Sequence, residues 1–567
     1  MRTTALFVAS TVWLVACSDA ESLGHQNAAN SVFDTATTGA DLSLGDDTPY
    51  ATADANESAE IWSRGVDVPT ATNNDTTDSQ TNLDLDVSDA EDTPSINEDV
   101  GVIRDVSAST QDDTSDTQQP VDINEPPTTT ATFEDWEQAL NTNDLETLIT
   151  YLSTYDMPVC KNGFCWIFTY QPSSASVEMI GEFNGWADGT KLEPVIGLPN
   201  WYYGKIEANF DKVMEYQLKV NGQWTRDETN RYIRFGPFGF NSAIYSASYG
   251  RITALWQVQS MELGNYRDVY VYLPASYFSS PNDSFPVLYL QDGFNVYENP
   301  KAPFGSWNVD VSADVIFAEK TARPTIFVAI DTQDRVNEYL YTAAALPGGS
   351  KATPKLDLYA AFVVNTLKPI VDSTFRTKPD RDYTAIAGSS LGGISSAYIA
   401  WNHSETFGAA ASFSGSFWVG ENGESGPAFR EIISTNSVKN QPGAIRYYLD
   451  SGDTPFGQNA SYQGDSWVYT DWTRNALISA GWDNRPEWDT DSNLTTAPVN
   501  LSPTTAVDQV PSLAWAPNPP EKYVGWKDYL GWDSNLCCLV GHGHSHNEGA
   551  WEQRFGAALR FLFPPKP

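Results

Sequence analysis

The sequence predicts an α/β fold for residues 251–567, preceded by an all-β domain over 159–250 and, ahead of both, an acidic N-terminal segment unable to fold. Three observations carry this. In "DYTAIAGSSLGGISSAYIA" a short apolar strand, Tyr383 to Ala387, turns at Gly388 and continues as a helix of small residues. Between 159 and 250, short runs alternate apolar and polar side chains between Gly and Asn, the mark of half-buried strands. From Ser18 to Thr130, 25 Asp plus Glu stand against 2 Lys plus Arg, a net of −23 out of the chain's −40.

The N-terminal end determines where the protein is expected to work. Met1-Arg2 precedes an apolar run, Ala5 to Val15, too short for a membrane span of about twenty residues, so residues 1–16 read as a signal peptide. The run closes on Leu14-Val15-Ala16-Cys17, which resembles a bacterial lipobox and implies cleavage before Cys17 with lipid attached to its sulfur. An incidental cysteine behind an ordinary signal peptide is the alternative. The expectation is an exported bacterial lipoprotein of the cell surface, outer membrane or periplasm, touching the membrane only through this lipid. Residues 17–131 have too little apolar surface to offset the entropy of ordering and are expected to form a disordered tether. The remainder is also acidic, which excludes nucleic acid as a partner.

Residues 132–158 read as a helical segment. Thr132-Phe133-Glu134-Asp135 has the form of a capping box, and Trp136, Leu140, Leu145, Leu148 and Ile149 recur at helical spacing. In "VCKNGFCWIFTY", Asn162-Gly163 suits a two-residue hairpin turn, which sets Cys160 opposite Cys165. An oxidising compartment would join them as a disulfide. "MIGEFNGWADGTKLEPV", "NWYYGKIEANF" and "EYQLKVNGQWTRDETN" resemble the early-set, immunoglobulin-like module (carbohydrate-binding-module-48-like) that precedes the catalytic domain in glycogen-branching enzymes, some plant-polysaccharide esterases and the enterochelin esterase. Trp186, Trp201 and Trp224 are either sugar-stacking surfaces or core residues.

The chemistry is expected in the α/β region. Gly388-Ser389-Ser390-Leu391-Gly392 fits Gly-x-Ser-x-Gly, the nucleophile elbow, with a strand before it and a helix after it. A serine on so sharp a turn leaves no room for Cβ atoms two residues away on either side. Its oxyanion hole would take one N–H from Leu391 and a second from Phe294 or Gly293, where "FPVLYLQDGFNVYENP" turns off the buried strand Phe285 to Leu290.

"VYVYLPASY", "FPVLYLQDGFNV", "IFVAIDTQDRVNEY", "AIAGSSLGGISSAYIAWNHSETFGAAASFSGSFW", "YYLDSGD" and "HNEGAWEQRFGAALRFLF" occur in the order found in the esterase D and enterochelin-esterase-like branch of the α/β-hydrolases, which includes feruloyl esterases. The resemblance spans nearly all of 251–565. It implies a serine esterase with a histidine in a His-x-Glu-x-x-Trp-like segment, which selects His546, followed by Glu548 and Trp551. The triad order of nucleophile, acid and histidine agrees. His542, His544 and His546 also invite a zinc reading, but Gly543 and Ser545 between them suit a loop better than a strand, and zinc would deprive Ser390 of its base. Neither metal nor organic cofactor is expected.

The acid should follow the strand "IRYYLD", near which lie Asp450, Asp453 and Asp465. Asp465, immediately ahead of the helix "SWVYTDWTRNALISAGW", is favoured, with Asp453 the runner-up. The implied protein is a surface serine esterase acting through an acyl-enzyme on feruloyl or acetyl esters of polysaccharide. The alternatives are a siderophore trilactone esterase and, in another class, an inactive carbohydrate-binding surface protein. Cys537-Cys538 stay open between a strained adjacent disulfide and two thiols.

Overall fold

A computed structural model of the chain describes residues 133–161, 163–207, 213–344, 351–421, 426–435, 445–452, 454, 466–482, 535–541 and 544–565. Cys17, His542, Asp453, Asp465 and the proposed signal peptide and tether lie outside the described residues.

Two helices open this part, α1 (Phe133–Thr142) and α2 (Leu145–Thr154). They lie against one face of a four-stranded sheet in which Phe164–Tyr170 is central, pairing with Val159–Lys161 and with Trp201–Glu207. Phe164–Tyr170 is a nearly unbroken apolar run because both its faces are covered. Trp166 and Phe168 meet Trp136 and Leu148 of the helices, while Cys165 and Ile167 face Val177, Met179 and Leu218 of a second, six-stranded sheet. Cys160 and Cys165 are register partners at a Cα separation of 4.1 Å and form the expected disulfide.

The three tryptophans divide. Trp186 and Trp224 are exposed, but one follows the Gly181 end of strand Val177–Gly181 and the other sits beside Lys219, near its Val177 end, so they form no shared platform. Trp201 is half-buried, edge-on to Tyr170 at 5.6 Å.

The second domain is built on one eight-stranded sheet: β1 (Arg251–Ser260), β2 (Asn265–Leu273), β3 (Val287–Leu290), β4 (Ile326–Ile330), β5 (Thr384–Ser389), β6 (Ala409–Phe413), β7 (Arg446–Gly452) and β8 (Leu536–Gly541). The order is β1-β2-β4-β3-β5-β6-β7-β8, with β1 and β2 antiparallel and the remaining strands parallel. β3, β4, β5 and β6 are buried throughout, as a parallel sheet covered on both faces requires. One core holds Val287, Val328, Ile386 and Leu449, and the other holds Leu288, Phe327, Ala387 and Tyr448 together with the last helix. This is the α/β fold that the motifs imply. The strand β3 begins at Val287, two residues after the expected Phe285.

Cys537 and Cys538 are free thiols on β8. Adjacent strand residues point to opposite faces, so one lies in each core. Arg234 of the β-sandwich pairs with Asp310 at 2.6 Å and with Glu298, joining the two domains.

Candidate active site

Ser390 stands between β5 and helix α3 (Leu391–Asn402), with φ 54° and ψ −121°, a conformation that non-glycine residues rarely adopt. Backbone bonds hold it there. Its N–H donates to the Phe413 carbonyl at 2.9 Å, and its carbonyl accepts from Gly393, Ile394 and Ser416 at 2.9–3.2 Å. A Cβ on Gly388 would lie 2.6 Å from the Gly392 oxygen and 2.7 Å from Gln291 Cγ, which is why this position admits glycine alone. The Ser390 hydroxyl, 3.4 Å from that of Ser416, keeps partial access to solvent.

β3 runs beside β5, with Leu290 opposite Ala387, so the loop leaving β3 meets the elbow. Asp292 there has a positive φ of 59° and precedes the one-turn helix Gly293–Val296. Arg335 Nε and Nη2 grip its carboxylate at 2.7 and 2.8 Å, and its N–H donates to the Tyr339 hydroxyl at 2.9 Å. At Gly293 a Cβ would sit 2.8 Å from backbone atoms of Ile330 and Asp331. Gly293 and Phe294 open one helix and Leu391 opens the other, so their N–H groups have no acceptor within their own helices and can receive developing negative charge.

His546 lies between β8 and the last helix, Glu548–Leu562, capped by Asn547, whose Oδ1 accepts from the Ala550 N–H at 2.9 Å. Its ring meets Trp551 edge-on at 5.2 Å. Trp551 Nε1 and Arg554 Nη2 both donate to the Ser414 hydroxyl, at 3.1 and 2.8 Å. Ser414 directly follows Phe413, the residue that anchors the Ser390 N–H. The serine turn and the histidine turn therefore share one support.

Asp450 is committed within that support. It is fully buried, pairs with Arg554 Nε at 3.2 Å, and accepts from the Ser414 N–H and the Tyr448 hydroxyl. His544 folds back over Gly541 at the end of β8, where a Cβ would touch its ring at 2.7 Å. His403, after α3, pairs with Glu405 at 3.4 Å. Among the described residues no three His, Cys, Asp or Glu side chains gather as a metal site.

Two carboxyls near the oxyanion loop are pushed upward by burial: Glu548 to about 7 and Asp331 to about 6. Glu548 Oε1 accepts from Asn295 Nδ2 at 3.1 Å. The sequence reading missed Arg335, Asn295 and Arg554. Arg335 stood inside the quoted "IDTQDRVNEY", but nothing local marks an arginine as the partner of an aspartate 43 residues earlier.

Residues 260–472 match the Esterase family model, described as "Putative esterase". The uncharacterized protein YbbA of Bacillus subtilis is 26% identical over 195 residues, 34% of this chain and 70% of that protein. An endo-1,4-beta-xylanase/feruloyl esterase of Xylanibacter ruminicola is 27% identical over 197 residues, 34% of this chain and 25% of that protein. Among solved structures, a ferulic acid esterase aligns with 56% of this chain and 98% of its own at 16% identity and a TM-score of 0.36. The enterobactin esterase of Shigella flexneri aligns with 73% of this chain and 98% of its own at 14% identity and a TM-score of 0.34. By its matched family segment, set on the sheet and elbow described above, the chain carries an esterase-like hydrolase domain.

Proposed function

We propose that the protein is a serine carboxylic-ester hydrolase in which Ser390 is the nucleophile and His546 the general base. The observation that carries this reading is the conformation of Ser390, held at φ 54° between a buried strand and a helix start. Ser390 Oγ adds to the ester carbonyl as His546 takes its proton, and the N–H groups of Leu391 and of Phe294 or Gly293 receive the oxyanion. Collapse expels the alcohol, protonated by His546, and leaves an acyl-enzyme that water hydrolyses through the same base. Asp465, or Asp453 in its place, orients the imidazole. The burial of Asp450 against Arg554 favours one of these two over it.

Feruloyl or acetyl esters of polysaccharide are the proposed substrates, supported by the likeness to the xylanase/feruloyl esterase of Xylanibacter ruminicola and by the β-sandwich with its exposed Trp186 and Trp224. The Ala5–Val15 run and Cys17 support export and lipid anchoring at the cell surface. A fluorophosphonate probe tests the chemistry: it should label the wild-type chain and leave Ser390→Ala unlabelled. Equal labelling of both would refute the assignment.

A further inference from the structure

The oxyanion loop and the histidine turn meet at a side-chain pair that the proposed chemistry does not use. Asn295 belongs to the one-turn helix Gly293–Val296, and Glu548 opens the last helix two residues after His546. Both side chains are more than nine-tenths buried, at 5% and 6% exposure, and they are joined by the 3.1 Å hydrogen bond from Asn295 Nδ2. The Trp307 N–H donates to the Asn295 carbonyl at 2.9 Å, fixing the helix from its other side.

We propose that Glu548 is a positioning residue for ester hydrolysis, tying through Asn295 the helix that presents the Gly293 and Phe294 N–H groups to the turn that carries His546. The proposal rests on the serine-hydrolase reading and names what holds two of its parts in register. Among the described residues the charged groups acting on Glu548 are Asp292 and Arg335, already paired with each other, and its own helix start adds N–H donors. Asn295 is neutral and matches either protonation state. Its amide N–H donates to a carboxylate, and after rotation its Oδ1, which has no hydrogen-bond partner among the described residues, accepts from a carboxylic acid. A lysine or arginine in its place would pin the acid as an anion beside Asp292.

The latch matters because oxyanion donors act only when correctly placed, and a shift of about 1 Å costs on the order of a hundredfold in rate. The test uses the full chain with p-nitrophenyl acetate, measuring kcat, KM and urea unfolding for Glu548→Ala, Glu548→Gln, Asn295→Asp and the swapped double variant E548Q/N295D. Glu548→Ala and Asn295→Asp should lower kcat roughly ten- to hundredfold with KM changed less than about threefold. Glu548→Gln, which keeps an acceptor of the same shape, should stay within about fivefold, and the swapped pair, in which a Gln amide donates to an Asp carboxylate, should recover to a similar level.

A purely structural role predicts that kcat falls only in variants whose urea unfolding shows them partly unfolded under assay conditions, whereas positioning predicts the kcat loss in variants that are fully folded there. Should Glu548→Ala fail to fold, Asn295→Asp and its recovery in the swapped pair decide alone. Near-normal kcat in Asn295→Asp, or a swapped pair no better than it, overturns the latch. Ser390→Ala, run alongside, separates the two ideas: if it stays active the serine reading has failed, and if it is inactive while the latch variants behave normally only the latch has failed.

Discussion

The serine turn and the histidine turn sit on the same support and are built in contrasting ways. The serine turn is a backbone construction. Ser390 is held by main-chain bonds from Phe413, Gly393, Ile394 and Ser416, and by glycines at 388 and 392 that let chains approach. The histidine turn depends on side chains: Trp551 against the imidazole, Asn547 on the helix start, Glu548 on Asn295. A backbone-built turn tolerates almost no change of residue type at its glycines, whereas a side-chain-built turn can be loosened in steps.

The largest expected effect treats the two turns as one unit. His546→Ala should reduce hydrolysis of p-nitrophenyl acetate by about a thousandfold or more, as Ser390→Ala should, while His544→Ala costs under about tenfold. Steady-state rates on purified variants check this, and equal losses at 544 and 546 would break the distinction drawn between those histidines.

The next prediction probes the serine turn through its glycine. Gly388→Ala places a methyl 2.6 Å from the Gly392 oxygen, backbone that cannot swing aside. We expect a loss of about 2–3 kcal/mol in urea unfolding, together with most of the activity. Wild-type stability in this variant would mean that the elbow is less constrained than its geometry implies.

The histidine turn should show itself through pH. Burial holds the Glu548 carboxyl up to about 7 in the folded chain, so in the unfolded chain it releases its proton first as pH rises. In that window the folded state binds more protons, and stability falls with rising pH, by up to about 3 kcal/mol between its ordinary carboxylate range and pH 7. Glu548→Gln removes this loss. Its stability relative to wild type should therefore improve from pH 5 to pH 8 in urea unfolding, and a constant difference would show Glu548 to be charged throughout.

The smallest effect belongs to Trp551. Trp551→Phe keeps a ring near His546 but deletes the Nε1 bond to Ser414, while the Arg554 bond to that hydroxyl stays. A cost of about 1 kcal/mol is expected, with a larger fractional change in activity than in global stability. Thermal unfolding and kcat measured together separate the two quantities.

The sequence by itself determined the features that depend on near neighbours. Strand, turn and helix around Ser390 could be read because Gly388 must clear the Gly392 carbonyl within the turn itself, whereas Gly392 makes room for Gln291 and Asp292 from a distant loop. The Cys160–Cys165 disulfide was legible because the sequence Asn162-Gly163 calls for a two-residue turn, and such a turn sets Cys160 opposite Cys165. Partners far apart in sequence were decided only by the tertiary structure. Asn295 meets Glu548 across 253 positions, and Arg554 meets Ser414 across 140. The sequence left Trp186, Trp201 and Trp224 open between sugar-stacking surface and core, and packing made Trp201 half-buried while leaving the other two exposed. The physical reason is common to these cases. Periodicity and turn chemistry report which way a side chain faces along its own element, but what it meets there depends on which other element the fold brings opposite.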